Sequence, residues 1–342
     1  MTNSTLADKM AKKAFESAAF QKNWAGHVQF FGPILEPAFA NDYQSRVHLT
    51  SALNQISNRN LAQGLNKLNQ LQDKCVTDAD KAAWLFFMGV FQEMSGNKEQ
   101  MLYFYTQCNE YGHRFYMPYL KVAKFYLDGH LYLAAEENYR AAIACFTATG
   151  LDLPSKRVLG SAYTNLASCL LMMHRYDEAE EALSTSRSLF PEAPGRAAIE
   201  AALHAIHGDV EAVDACLAQL KSHAPAMYHA LRESTNKILS RTDPLFFPVP
   251  VDDGKIAAFW DWFSRYEEGI YSNPDSTAIA AKLLETFPFL EEPPIVRLTL
   301  DEECCELALE DLYAVGITHA YKALLAACPE ELTENWQFTV IH

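Results

Sequence analysis

Residues 160–193 read GSAYTNLASCLLMMHRYDEAEEALSTSRSLFPEA, and the spacing inside this stretch decides the fold. Counted from Gly160 as position 1, large residues hold positions 4, 7, 11, 17 and 24 (Tyr163, Leu166, Leu170, Tyr176 and Leu183). Small ones hold 8, 20 and 27 (Ala167, Ala179 and Ser186), a turn falls at His174 and Arg175, and Pro191 closes the unit at position 32. Spacings of three and four on either side of a turn predict two antiparallel helices. Small residues let the two backbones approach, and large ones fill the space between this pair and the next.

A step of 34 residues tests the unit against the rest of the chain. The step forward starts at Pro194 and puts Gly208 and Asp209 at the turn, then Val210, Leu217 and Leu220, with Glu200 and His204 in two apolar places. One step back, allowing a ten-residue insertion over 147–158 whose Gly150 and Pro154 read as a loop, starts at Tyr116. It gives Tyr119, Val122, Ala123 and Tyr126, then Ala135, Tyr139 and Ala142. A further step starts at Ala82, with Leu85, Met88 and Gly89, a turn at Gly96 and Asn97, then Met101, Tyr105 and Cys108. Four starts share one phase, and a looser pair, Val47–Ile56 and Leu61–Leu71, precedes them.

This pattern resembles the tetratricopeptide repeat almost position for position over roughly residues 45–240. The resemblance implies an α-solenoid whose concave face binds protein or peptide, lined by positions 2, 5, 9, 12 and 13 of each first helix. Here those positions hold Ala83, Phe86, Val90, Glu93 and Met94; Met117, Leu120, Lys124, Leu127 and Asp128; and Ser161, Thr164, Ser168, Leu171 and Met172. Family members that grip a terminal carboxylate use Lys, Arg and Asn there, whereas this sequence offers Lys124 and, beside the set, Asn165. The expected groove is therefore largely apolar. Phe86, Val90, Met94, Leu120, Lys124, Asp128, Thr164, Asn165, Ser168 and Met172 are the expected partner-binding residues, unless the N-terminal helix or the C-terminal domain fills the groove.

Thr242–Val251 reads TDPLFFPVPV, whose prolines stop the helical pattern and make a linker or docking strap. Beyond it, Lys255–Ile270 carries an aromatic stripe at helical spacing, and Ala278–Leu290 predicts a second helix. The period then drops to two in Ile295–Leu300 and Cys304–Leu309, with a hairpin connector at Asp301–Glu303. Tyr313–Ala327 returns to helix, and Trp336–Ile341 alternates again. The expected organisation is a helical segment over 1–44, the repeats over 45–241, a Pro-rich linker over 242–254 and an α+β domain over 255–342. The opening FWDWF, the hairpin, the helix ending Ala-Cys-Pro and the final NWQFTVIH resemble a C-terminal domain of uncharacterised bacterial proteins, a likeness that bears on fold alone.

Composition bounds the function. The 342 residues are 49% hydrophobic and 21% charged, enough to bury a sizeable core. The net charge of minus 15 is unevenly spread: residues 244–342 hold 18 acidic and five basic side chains, for minus 13. Such a surface repels phosphate backbones and anionic headgroups, which excludes nucleic acid and membrane as expected partners. The eight cysteines form no C-x-x-C, and all but the Cys304–Cys305 pair fall in helical patterns, which fits a reducing cytoplasm. Met1–Phe20 lacks an apolar h-region and reads as a short amphipathic helix rather than a signal.

Residues for chemistry do not assemble. The adjacent carboxylates, such as Glu267 with Glu268 and Asp301–Glu303, point apart on a helix or strand. The eleven histidines give no H-E-x-x-H, His204 and His207 lack further ligands at metal spacing, and no nucleophile elbow or phosphate loop occurs. No cofactor or metal is expected. The leading expectation is a noncatalytic interaction protein. The alternatives are an immunity or antitoxin-like inhibitor of a basic toxin, and an enzyme whose site lies in the interdomain cleft.

Overall fold

The computed structural model describes residues 6–111, 115–146, 153–193, 195–300 and 305–342. Helices α1 (Leu6–Phe15), α2 (Ala18–Leu35), α3 (Tyr43–Ser57), α4 (Leu61–Gln72), α5 (Asp78–Met94), α6 (Lys98–Tyr111), α7 (Tyr116–Asp128), α8 (Tyr132–Ala144), α9 (Leu153–Met172), α10 (Tyr176–Leu189), α11 (Arg196–Ile206), α12 (Val210–His223) and α13 (Pro225–Leu239) come first. They are followed by α14 (Asp253–Ser272), α15 (Ser276–Thr286), β1 (Val296–Leu300), β2 (Cys305–Glu310), α16 (Val315–Ala326), a 3-10 turn at Glu330–Glu334 and β3 (Trp336–Ile341). This is the mainly α class read from the sequence, TPR-like antiparallel helix pairs followed by a small α+β domain.

The turn inside each repeat shows the common phase. Gly96, His130, His174 and Gly208, all at position 15, have φ of 76°, 61°, 60° and 78°, the left-handed region that ends helices. The next amide reaches back to the carbonyl five residues earlier in every case: Asn97 to Gln92, Leu131 to Tyr126, Arg175 to Leu170 and Asp209 to His204. Position 8 is filled by Gly89, Ala123, Ala167 and Ala201, each without room for more. The three alanines are fully buried, and a Cβ on Gly89 would lie 2.6 Å from the Tyr105 ring. One boundary departs from expectation, because Pro154 stands in the first turn of α9 rather than in a loop. Proline fits there because the first helical amides have no intrahelical acceptor; residues 147–152 and Pro194 lie outside the described residues.

Two compact units divide the chain, Met1–Leu166 and Ala167–His342. In the first, α3 pairs with α4, α5 with α6 and α7 with α8. The N-terminal segment adds its own share of the core: Phe20, Trp24, Ile34 and Leu35 join Phe86, Phe87 and Tyr105 in one cluster. Phe31 leaves the helical region at φ −124°, ψ 20°, two residues before Pro33, and this kink lays its ring 5.7 Å from Phe86 and 5.5 Å from Phe87. The buried Asp80 carboxylate gathers the amides of Phe39, Val76 and Thr77, tying this segment to the start of α5.

In the second unit, Glu200 explains how a repeat tolerates a carboxylate at an apolar place. Arg187 of α10 and Arg196 of α11 meet it at 2.6 and 3.1 Å, so the charge is paired where burial alone would be costly. The proline segment docks as a strap: Pro244 O accepts from Gly316 N at 2.8 Å, Leu245 O accepts from Val315 N at 3.2 Å, and the Phe246 ring lies edge-on to His174. The sheet has the order β1-β2-β3, with β1 antiparallel and β3 parallel to β2. Leu307 and Leu309 of β2 pack with Phe259, Trp260 and Phe263 of α14 and Tyr321 of α16, which satisfies the aromatic stripe. The connector Asp301–Glu303 and Cys304 lie outside the described residues.

Candidate functional site

The ten expected binding residues meet different fates. Phe86 is 1% exposed, enclosed by Phe31, Phe87, Tyr105 and Phe115. Thr164 is buried and returns its hydroxyl to Gly160 O at 3.1 Å. Val90 is half-buried against the first unit's core, while Met94, the last residue of α5, is exposed. Ser168 and Met172 lie farther along α9, in the second unit, and are half-buried. Leu120, Lys124, Asp128 and Asn165 line clefts.

The larger cleft, about 710 Å³, opens where the end of α5, the start of α6 and one face of α7 meet. Helical spacing puts Lys121, Lys124, Phe125 and Asp128 on that face, and Lys98 stands at the first position of α6. Glu93 organises it: Oε1 takes Lys121 Nζ at 2.6 Å, and Oε2 accepts the Tyr105 hydroxyl at 2.8 Å. Three helices are thereby tied at one carboxylate. Burial, and then Glu93, push the Tyr105 hydroxyl far above the ordinary phenol range, so it acts as a donor. Lys124 pairs with Asp128 one turn along. Lys98 makes no ion pair among the described residues. Met101 and Phe125 supply apolar lining.

A second cleft of about 280 Å³ adjoins through Lys124, which lines both. Here Leu120 of α7 faces Arg157, Val158, Ser161 and Asn165 of α9. Four cationic side chains thus lie along one cleft system, against Glu93 and Asp128, with apolar side chains between them. Chemically it can hold carboxylates of an extended segment and cover its apolar side chains.

Three of those cations were not singled out in the sequence. Lys121 shares a face with Lys124 and Asp128 at spacings of three and seven, a signal hidden because the concave set skips position 6. Lys98 belongs to a second helix, outside that set. Arg157 sits in the stretch read as a loop; a proline followed by Ser-Lys-Arg-Val was the available helix-start signal. The groove is less apolar than expected, because Phe86 is withdrawn into the core and charged side chains line what stays open.

Elsewhere the chemical groups are spent on structure. Burial pushes the Cys75 and Cys108 thiols up to about 12 and Cys328 to about 11, away from nucleophilic thiolate. Cys75, Cys145 and Cys328 lie just past helix ends rather than inside helices. Asp311 is fully buried and accepts from Tyr313 N at 3.0 Å and Thr318 Oγ1 at 2.5 Å, with His342 Nδ1 at 2.9 Å. That carboxylate joins the end of β2, the first turn of α16 and the residue after β3. Among the described residues no group of three His, Cys, Asp or Glu side chains could hold a metal ion, and no helix is long and apolar enough to cross a membrane.

Comparison with known proteins adds little to this geometry. No family model matches the chain. No curated protein matches it. A solved structure from work on the functional characterisation of Pseudomonas aeruginosa pilF is similar over 56% of this chain and 97% of its own, at 14% identity and a TM-score of 0.32.

Proposed function

We propose that the chain is a noncatalytic interaction protein that holds an extended, carboxylate-bearing segment of a protein partner along the α5–α7–α9 clefts. The observation that carries this reading is Lys124, exposed and shared by two adjoining clefts, with Lys98, Lys121 and Arg157 around it. Lys121 and Glu93 fix the wall, and Leu120, Met101 and Phe125 give apolar area to bury, roughly 25 cal/mol for each Å² removed from water. Residues 45–241 form the binding region and 255–342 an acidic domain whose charge disfavours nucleic acid and anionic membrane, in a reducing cytoplasm.

The test is site-specific photo-crosslinking in the native cell. A photoreactive residue at Leu120 or Asp128 should capture the same discrete protein, and Lys121→Glu with Lys124→Glu should abolish the capture. If the same bands form from exposed Glu233, or survive the double reversal, the clefts are not the binding site.

A further inference from the structure

The two edges of the small sheet are finished differently. Pro293 and Pro294 stand just ahead of β1, and its Arg297 reaches Glu310 across the pair at 3.3 Å. Proline and charge are the ordinary devices that keep an edge strand from pairing further. β3 has neither. Trp336–Ile341 reads WQFTVI, rich in aromatic and β-branched residues, with no charge, proline or glycine.

The ladder fixes which backbone groups that edge presents. Cys305 N donates to Asn335 O at 3.1 Å and Asp311 N to Ile341 O at 3.0 Å, and between them the parallel register sets Leu307 beside Phe338 and Leu309 beside Val340. Successive residues of a strand turn their backbone groups to opposite sides. Gln337, Thr339 and Ile341 therefore spend theirs on β2, and Phe338 and Val340 point N–H and C=O away from it. No other strand adjoins β3, and no hydrogen bond to these outward groups forms among the described residues. The edge is nevertheless anchored, since the Phe338 ring lies 5.0 Å from Trp260 and 5.6 Å from Phe263 of α14.

Charge says what kind of strand completes it. The 3-10 turn leading into β3 exposes Glu330, Glu331 and Glu334, and at the same end Glu267 of α14 accepts from Trp336 Nε1 at 2.9 Å. Residues 244–342 as a whole hold 18 acidic side chains against five basic ones. A second copy of this chain would bring the same charge to the same edge and be repelled, whereas a basic segment is drawn in.

We propose that the outer edge of β3 takes an extended basic segment of a protein partner as a fourth strand. Its backbone pairs with the outward N–H and C=O groups of Phe338 and Val340, and Lys or Arg at the end beside Trp336 meets the glutamates of the 3-10 turn. This edge belongs to the second unit and is independent of the lysine clefts, which attract the opposite charge.

The test uses the full chain, labelled with 15N, and the synthetic peptide Arg-Lys-Val-Thr-Val-Thr-Val. In the free chain the amides of Phe338 and Val340 should exchange with deuterium quickly and that of Thr339 slowly, and the peptide should slow the first two. Two further peptides carry N-methyl groups on alternate residues, along one edge or along the other; one should bind as the parent does and the other should not. Val340→Pro removes an outward N–H and spares the ladder, and affinity should fall about three- to tenfold, the size of one hydrogen bond. Glu330→Lys with Glu331→Lys and Glu334→Lys should weaken binding without touching the strand, which keeps the test open if the proline variant fails to fold. Lys121→Glu with Lys124→Glu should leave affinity unchanged. Slow exchange at Phe338 and Val340 in the free chain, no protection at millimolar peptide, equal binding by both methylated peptides, or equal affinity for Glu-Glu-Val-Thr-Val-Thr-Val would each overturn the proposal. Concentration-dependent dimerisation lost in Val340→Pro would overturn the choice of occupant.

Discussion

Tyr105 lies flat across Gly89, with two ring carbons 2.6 Å from where a Cβ on that glycine would stand. Gly89 is on α5 and Tyr105 on α6, so this contact sets how near the two helices can approach there. Gly89→Ala forces the buried ring or the helix to move, and it should destabilise by about 1–3 kcal/mol despite the better helix propensity of alanine. Thermal unfolding at or above the wild-type temperature would contradict the crossing.

Gly316 has the same role for the strap. A Cβ there would lie 2.8 Å from Phe247 O and 2.9 Å from Pro244 O, both backbone atoms that cannot swing aside. Gly316→Ala should loosen residues 242–251 and expose them to limited proteolysis while the helix pairs stay intact. Gly26, exposed on α2 with nothing within 4 Å of its Cβ direction, is the control. Gly26→Ala should stabilise by about 0.5–1 kcal/mol, because glycine loses more freedom in a helix.

The left-handed turn separates two contributions of His174. Glycine retains the φ of 60° without strain and loses the contacts to Tyr176, Tyr313 and Phe246; alanine loses the same contacts and keeps the strain. His174→Ala should therefore be less stable than His174→Gly by about 1 kcal/mol. Equal melting temperatures would mean that the backbone relaxes out of the left-handed region.

Most of the helix pairing could be read from one stretch, because residues at positions 8, 20 and 27 answer to a local constraint, the approach of neighbouring backbones. The turn was legible at Gly96, His174 and Gly208, but its left-handed backbone was obscure at His130 and His174, where a histidine held by the tyrosine two residues on stands in place of glycine. The strands at 296–300, 305–310 and 336–341 followed from alternation, but the parallel pairing of β3 with β2 did not. Pairing partners are set by packing across the chain, which periodicity does not encode. For the same reason the sequence left open whether Phe86 faces solvent, and Phe31, reaching it through a kink at Pro33, supplies the cover in the first unit. Lys124 stands in the set read from repeat position, whereas Lys121 and Arg157, as lining of the same clefts, needed the surface.

Alkaline pH should weaken the fold. Burial raises the thiols of Cys75 and Cys108 to about 12. An unfolded thiol titrates near about 8.5. Below that range both states are protonated and the stabilising contribution is fully present. As pH rises from about 9 towards 12 the unfolded chain releases protons that the folded chain keeps, so stability falls. The buried Tyr105 hydroxyl adds to the same trend above about 10. Melting temperature should drop through this range, less steeply in Cys108→Ala. A flat profile from pH 8 to about 10.5 would contradict the burial of these groups.

Binding at the lysine clefts should depend on salt. Lys98, Lys121 and Lys124 act on a ligand carboxylate through water-exposed charge, which is screened over about 10 Å at 0.1 M salt and less at higher concentration. A hexaglutamate peptide is a defined probe. Its affinity for the full chain should fall between about 50 and 300 mM salt, and the slope should flatten in Lys124→Glu, since that side chain lines both clefts. Lys237→Glu is the matched control: Lys237 is exposed on α13 next to Glu233, and its reversal changes net charge equally without touching either cleft. Should Lys237→Glu weaken the peptide as much as Lys124→Glu, the effect belongs to overall charge, and the clefts lose their claim to recognise acidic segments.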